Sequence, residues 1–383
     1  MRKLWPFAFN FAWFAASAFV SPFMVLYYQG LAFTGAQIGV LTGMTPLITL
    51  FVTPLWTGLA DATRRHQLLM SLAILVGAMG VFVFPLLRAF VPVLCIAVVL
   101  HVFLAPVTPL ADSAIMFMLA EEKDMYGRIR LGGTLGFGLA APLAGMLVQS
   151  HGLRVAFWGC GVFLLLGLIV SQKLAYGQLK VDGPARGGAR TLLSNPRWLP
   201  FLIVAFGGGA TLAAFNNYLF PYMKELGANE SMMGLALTVG TLSEMPILFF
   251  GNRVIRRLKP YGLLTLSMVV SGLRMWLFAA SRTPGAVLFI QLLNGLTFPA
   301  FWVAGVSYAE ENAPAGMSAT AQGLFSALVF GFGLAVGGLV GGPLLASMGG
   351  RGLYAVFGAA VLAIVGIAAL LQQRLPGRSS YVR

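Results

Sequence analysis

Apolar runs long enough to cross a bilayer as helices recur along almost the whole chain, separated by short segments rich in Gly, Pro or charge. They fall at about 6–28, 36–58, 67–87, 92–120, 129–150, 154–176, 198–222, 231–252, 261–281, 284–309, 316–347 and 351–374. Barrel strands are shorter and alternate apolar with polar, so a transmembrane barrel is excluded. With 58% of residues hydrophobic and 9% charged, no water-soluble fold of this size hides the apolar surface. The reading is an all-α membrane protein of 12 transmembrane helices. The first run exceeds the core of a signal peptide, so a retained first helix is expected.

The net charge of +14 lies in the loops and not on one amphipathic face, which excludes nucleic acid as the partner. With the N-terminus inside, 19 of the 25 Lys and Arg fall on the cytoplasmic side and five outside (Arg88, Arg154, Lys224, Arg282, Arg351); Arg274 lies within a span. That bias predicts both termini in the cytoplasm and a multi-pass protein of the plasma or inner membrane. A monomer is expected. Cys95 and Cys160 sit in separate apolar runs without ligand spacing, so they read as buried packing thiols, with no metal site.

The longest polar connection divides the chain into an N-terminal six-helix bundle (1–176), a cytoplasmic linker (177–197) and a C-terminal six-helix bundle (198–383). Each half carries a basic loop between its second and third spans, GLADATRRHQ at 58–67 and GNRVIRRLKP at 251–260, as repeated halves would.

The first of these loops, with Leu59, Ala60, Asp61, Arg64 and Arg65, resembles the loop signature of the major facilitator superfamily, although Thr57 and Arg64 replace its usual glycines. Four stretches resemble the branch holding phenylpropionate permease-like, nucleoside:proton and lactose-permease-like symporters. They are PLWTGLAD at 54–61, PLADSAIMFM at 109–118 with YGRIRLGGTLGF at 126–137, SEMP at 243–246 with Arg274, and QLLNGLTFPAFW at 291–302. The resemblance implies two six-helix bundles that alternate access to a central cavity. Asp61 at a helix end can hold a basic or dipolar partner in one conformation and lose it in another, so Asp61, Arg64 and Arg65 form a candidate cytoplasmic gate.

Ionisable groups inside spans are costly and mark function by default. Glu244 lies roughly 12 Å and Arg274 roughly 20 Å from the cytoplasmic ends of the eighth and ninth spans, close enough to pair through the long Arg side chain. Burial raises a carboxylate's pKa and a nearby guanidinium lowers it, so a carboxylate whose Arg partner comes and goes can hold and release a proton. In lactose-permease-like symporters such a Glu and Arg belong to the proton-coupling constellation, so the resemblance gives Glu244 and Arg274 that role. The tenth span departs from that family, with Asn294 where His often stands.

Asp112 and Arg130 lie 18 positions apart across a tight turn and can face each other. The resemblance makes them substrate-binding groups. Asn10 and Trp13 in the first span, Asn216 and Asn217 in the seventh, Asn294 and Trp302 in the tenth complete the candidate substrate site. His101, alone among Val and Phe, reads as a core histidine. GGTLGFG at 132–138 and GGLVGGP at 337–343 read as close helix contacts, not phosphate loops.

The function expected is secondary transport of a small organic solute (sugar, nucleoside or aromatic acid), with the proton gradient as the energy source and no cofactor. No extramembrane segment is long enough for a catalytic domain, so an enzyme is not expected. GLAAPLAGM at 138–146 partly resembles the signature of drug-exporting proton antiporters, which makes efflux the alternative.

Overall fold

The computed structural model describes residues 4–119, 122, 125–177, 192–193, 198–314 and 317–373, which are helical nearly throughout. The spans are α1 (Leu4–Gly30), α2 (Gly35–Thr63), α3 (His66–Leu86), α4 (Phe90–Leu119), α5 (Tyr126–His151) and α6 (Arg154–Ser171). The second half continues with α7 (Leu199–Glu225), α8 (Glu230–Leu258), α9 (Pro260–Ala280), α10 (Pro284–Asn312), α11 (318–348) and α12 (350–373). Ten helical segments are apolar and long enough to cross a membrane unaided. α8 carries Glu244 within its length and α11 and α12 run together as one segment; counting α8 and separating α11 from α12 gives twelve. The division comes at Gly349, whose φ of 67° would strain any residue with a Cβ. The next amide, of Gly350, donates to Glu225 Oε2 at 2.7 Å and ties the start of α12 to the end of α7. Most of the expected linker at 177–197 lies outside the described residues.

Three helices that border the centre are interrupted. α1 tightens to a 3-10 turn over Ser21–Phe23, where Pro22 removes a donor, and α4 breaks between Leu104 and Val107 at Pro106. In α10, Gln291–Leu296 forms a 3-10 segment, Thr297 leaves helical geometry (φ −96°, ψ −103°), and the helix resumes at Phe298, before Pro299.

Glycine determines how the halves meet. Gly132 and Gly136 of α5 lie against the backbone of Phe7 and Phe11 of α1. Between the halves, Gly35 and Gly39 of α2 face the α11 backbone at Gly342 and Leu339, and Gly145 of α5 meets Glu230 of α8, at approaches no Cβ would allow. These contacts lie where α2 and α8 begin and α5 and α11 end. Thr42, Tyr218 and Gly338 lock the same end: the Tyr218 hydroxyl donates to the Gly338 carbonyl at 2.6 Å, with the Thr42 hydroxyl 3.2 Å from it. At the opposite end, which carries the basic loops, Leu55 and Leu59 of α2 and Leu131 and Leu135 of α5 are exposed. The structure is closed at one end and open at the basic end.

Candidate functional site

A cavity of about 880 Å³ lies among α1, α2, α3, α4, α6, α7 and α11, with more wall from the first half than from the second. Trp13, Phe14 and Phe330 give it aromatic faces; Thr49, Thr53, Thr108, Asn217 and Ser326 give it neutral hydrogen-bonding groups. Asp112 is its carboxylate.

Asp112 and Arg130 do face each other, with Arg130 Nη1 3.6 Å from Asp112 Oδ1. That separation holds an ion pair but makes no hydrogen bond, and Oδ1 has no hydrogen-bond partner, so it remains an open acceptor. Arg130 is oriented by the Phe14 ring, 4.8 Å from its guanidinium carbon, and Tyr126 hydrogen-bonds the carboxylate. Tyr126 opens the YGRIRLGG stretch and escaped notice because a Tyr at a helix start reads as an interfacial anchor.

The second group sits in the C-terminal half. Arg274 is 1% exposed and lies against the rings of Phe215 and Phe278, at 4.2 and 5.4 Å. Its Nη1 donates to Asn294 Oδ1 at 2.8 Å and to Thr297 Oγ1 at 3.0 Å, and its Nη2 to Gln291 Oε1. The direct ion pair expected between Glu244 and Arg274 is not among those of the described residues. Asn294 stands between them: its Nδ2 donates to Glu244 Oε1 at 2.7 Å while its Oδ1 accepts from Arg274. Asn294, placed in the substrate site from sequence, instead joins these two charges. All three polar partners of Arg274 come from the 3-10 stretch of α10 and the residue that ends it, where a period of three brings Gln291, Asn294 and Thr297 to one side.

The other sequence candidates divide. Trp13 and Asn217 line the cavity. Asn10 does not: it is buried and its Nδ2 donates to the Pro6 carbonyl one turn earlier, at 3.2 Å. Asn216 is exposed and outside the cavity wall. Trp302 packs among Phe298, Phe325 and Phe330 and meets the cavity only through Phe330. His101, read as a core residue, lines the cavity, and Cys95, read as buried, is exposed. At the basic end Asp61 pairs not with Arg64 or Arg65 but with His66, Nε2 to Oδ1 at 2.9 Å. His66 in turn stacks on Tyr176 at 5.7 Å. Arg64 takes the left-handed position that ends α2, which directs it away from the helix it follows.

Twelve helices in two bundles around a central cavity, closed at one end and open at the other, define a membrane transporter of small solutes. The chain belongs to the MFS_1 like family, whose model matches residues 5–356. It is 28% identical to the maltose permease of Geobacillus stearothermophilus over 95% of this chain and 92% of that one. It is also 28% identical to the uncharacterized transporter YwbF of Bacillus subtilis (strain 168), over 87% and 83% of the two chains. The probable 3-phenylpropionic acid transporter of Escherichia coli (strain K12) is 24% identical over 85% and 86%. Among solved structures, a mutant of the nucleoside transporter NupG superposes with a TM-score of 0.86 over 97% of this chain and 100% of its own, at 18% identity. That likeness carries the fold alone.

Proposed function

We propose that the chain is a proton-coupled symporter of a small organic solute in the sugar, nucleoside or aromatic-acid range, working by alternating access. The observation that carries the proposal is the relay Glu244–Asn294–Arg274, a carboxylate and a buried guanidinium joined through one amide. The amide presents its donor end to Glu244, so it favours an ionised carboxylate there. Protonation removes the charge from that hydrogen bond, which is then about half as strong. Asn294 belongs to the interrupted segment of α10, so a proton on Glu244 loosens a segment that can move. Binding falls to the cavity, where Asp112 offers an acceptor beside the Trp13 and Phe14 rings, with Arg130 behind the wall, paired to Asp112 and packed on Phe14. Hydroxyl-lined and aromatic walls suit sugars, nucleosides and aromatic acids alike, the classes named for the maltose, nucleoside and phenylpropionic acid relatives.

The excess of basic residues at the open end supports a cytoplasmic position for that end and for both termini, in a plasma or inner membrane; on that reading this conformation is inward-facing. The two bundles at 1–176 and 198–383 then rock about the cavity as a monomer.

In liposomes with an imposed inward proton gradient, the protein should accumulate maltose, uridine or 3-phenylpropionate while the gradient dissipates in step. Accumulation of any of these that ignores pH and membrane potential would overturn the symport reading. Solute-driven proton movement in the opposite sense would make the protein an exporter.

A further inference from the structure

The two basic loops that echo each other in sequence differ in what balances their charge. In the first, Asp61 is held by His66. The second, with Arg253, Arg256, Arg257 and Lys259, has no counterpart acid: the sequence carries neither Asp nor Glu from 245 to 309. None of these four cations makes an ion pair with a described residue. They crowd the last turns of α8, where three of them, with Phe250 and Val254, line a groove of about 550 Å³. Arg253 is held over the Phe250 ring, 5.3 Å from its centre, so the groove has an ordered guanidinium at its wall.

The groove continues an exposed apolar stripe. Leu235, Leu242 and Phe249 recur at intervals of seven on α8 and are 47%, 55% and 74% exposed. In a membrane-spanning helix such a stripe is covered by acyl chains, and it runs directly into Arg253 and Arg257. A ligand that fits both parts has hydrocarbon for the stripe and a phosphate for the guanidinium forks, which bind phosphate oxygens in pairs.

We propose that the end of α8 binds one anionic phospholipid of the leaflet at the basic end, with its phosphate in the Arg253–Arg257 groove and its chains along Phe249, Leu242 and Leu235. Each cation near an anionic membrane surface favours such a headgroup several-fold. A zwitterionic lipid offers the same phosphate, but its ammonium offsets the charge that the groove leaves uncompensated. The site is therefore selective by net charge.

Native mass spectrometry of the purified full-length protein, titrated with phosphatidylglycerol against phosphatidylcholine in one detergent, reads the retained lipid directly. The wild type should retain phosphatidylglycerol in preference, and Arg253→Gln/Arg257→Gln should weaken that retention by about 30-fold, two cations being lost. Lys173→Gln, at the same end of the molecule, should leave it unchanged. Wild-type retention by the double variant would overturn the proposal. So would displacement of the lipid by millimolar inorganic phosphate, which would make the groove a site for a free anion. Should the double variant not fold, Arg253→Lys/Arg257→Lys keeps the charge without the fork and should lose only part of the preference. Retention by the wild type that ignores added salt would overturn the proposal without any variant.

Discussion

The two halves of the molecule each place a carboxylate and an arginine within the membrane, and they treat them in opposite ways. In the N-terminal half Asp112 and Arg130 face each other directly, half-exposed, with one carboxylate oxygen lacking a hydrogen-bond partner beside an aromatic-walled cavity. In the C-terminal half Arg274 is sealed among rings and amides, and Glu244 reaches it only through Asn294. A pair meant to hold a solute needs unused hydrogen-bonding capacity. A pair meant to sense a proton needs a connection that one proton can weaken. On the function proposed above, solute recognition falls to the first half and energy coupling to the second.

The largest effect that tests this division comes from Glu244→Gln. The amide keeps the shape of the protonated acid, so solute exchange across equal concentrations should survive while uphill accumulation is lost completely, read as counterflow against proton-driven uptake in liposomes. Full proton-driven accumulation by this variant would move the coupling to another group, with Asp112 the next to test. Next in size, Arg130→Lys removes the planar fork and Asp112→Asn the charge; each should weaken solute binding by roughly 1.5–3 kcal/mol, measured by calorimetry, and leave the proton requirement in place. Wild-type affinity in both would return the pair to helix-end architecture. Asn294→Leu cuts the link between Glu244 and Arg274 without touching the cavity, so accumulation should fall several-fold at unchanged solute affinity; a fall in affinity alone would put Asn294 back in the substrate site. The smallest effect belongs to the closed end, where Thr42→Val removes one hydroxyl while Tyr218 still reaches Gly338. It should shift the balance of conformations by about 1 kcal/mol toward opening, detectable as altered distances between spin labels at that end.

Much of this is legible in the sequence. Twelve spans follow from run length, and Asp112 and Arg130 from an offset across one tight turn, because consecutive antiparallel helices are neighbours. Depth along the axis put Glu244 and Arg274 near each other for the same reason. What stands between them is not legible: Asn294 lies where α10 abandons the regular helix, and the α-helical period no longer says which way a side chain points there. Asn10 misled because a polar side chain in a helix can satisfy itself on the carbonyl one turn back, which leaves no trace in the sequence. Asp61 is paired with His66, the first residue of α3, across the left-handed turn at Arg64, a turn that the arginine-rich loop sequence does not announce.

The seam between α2 and α11 has a consequence for speed. Where Gly35, Gly39 and Gly43 meet Gly338 and Gly342, backbone lies against backbone, with only Leu339, Pro343 and Ala346 of α11 reaching across. Side chains that interlock must change rotamer before two helices separate, and each such change adds to a barrier. Bare surfaces part like two smooth plates, so here the obstacle to separation is the entry of the first water molecules into a narrow dry gap. The hydroxyl cluster of Thr42 and Tyr218 is a wettable spot along this seam, and from it such a film would spread.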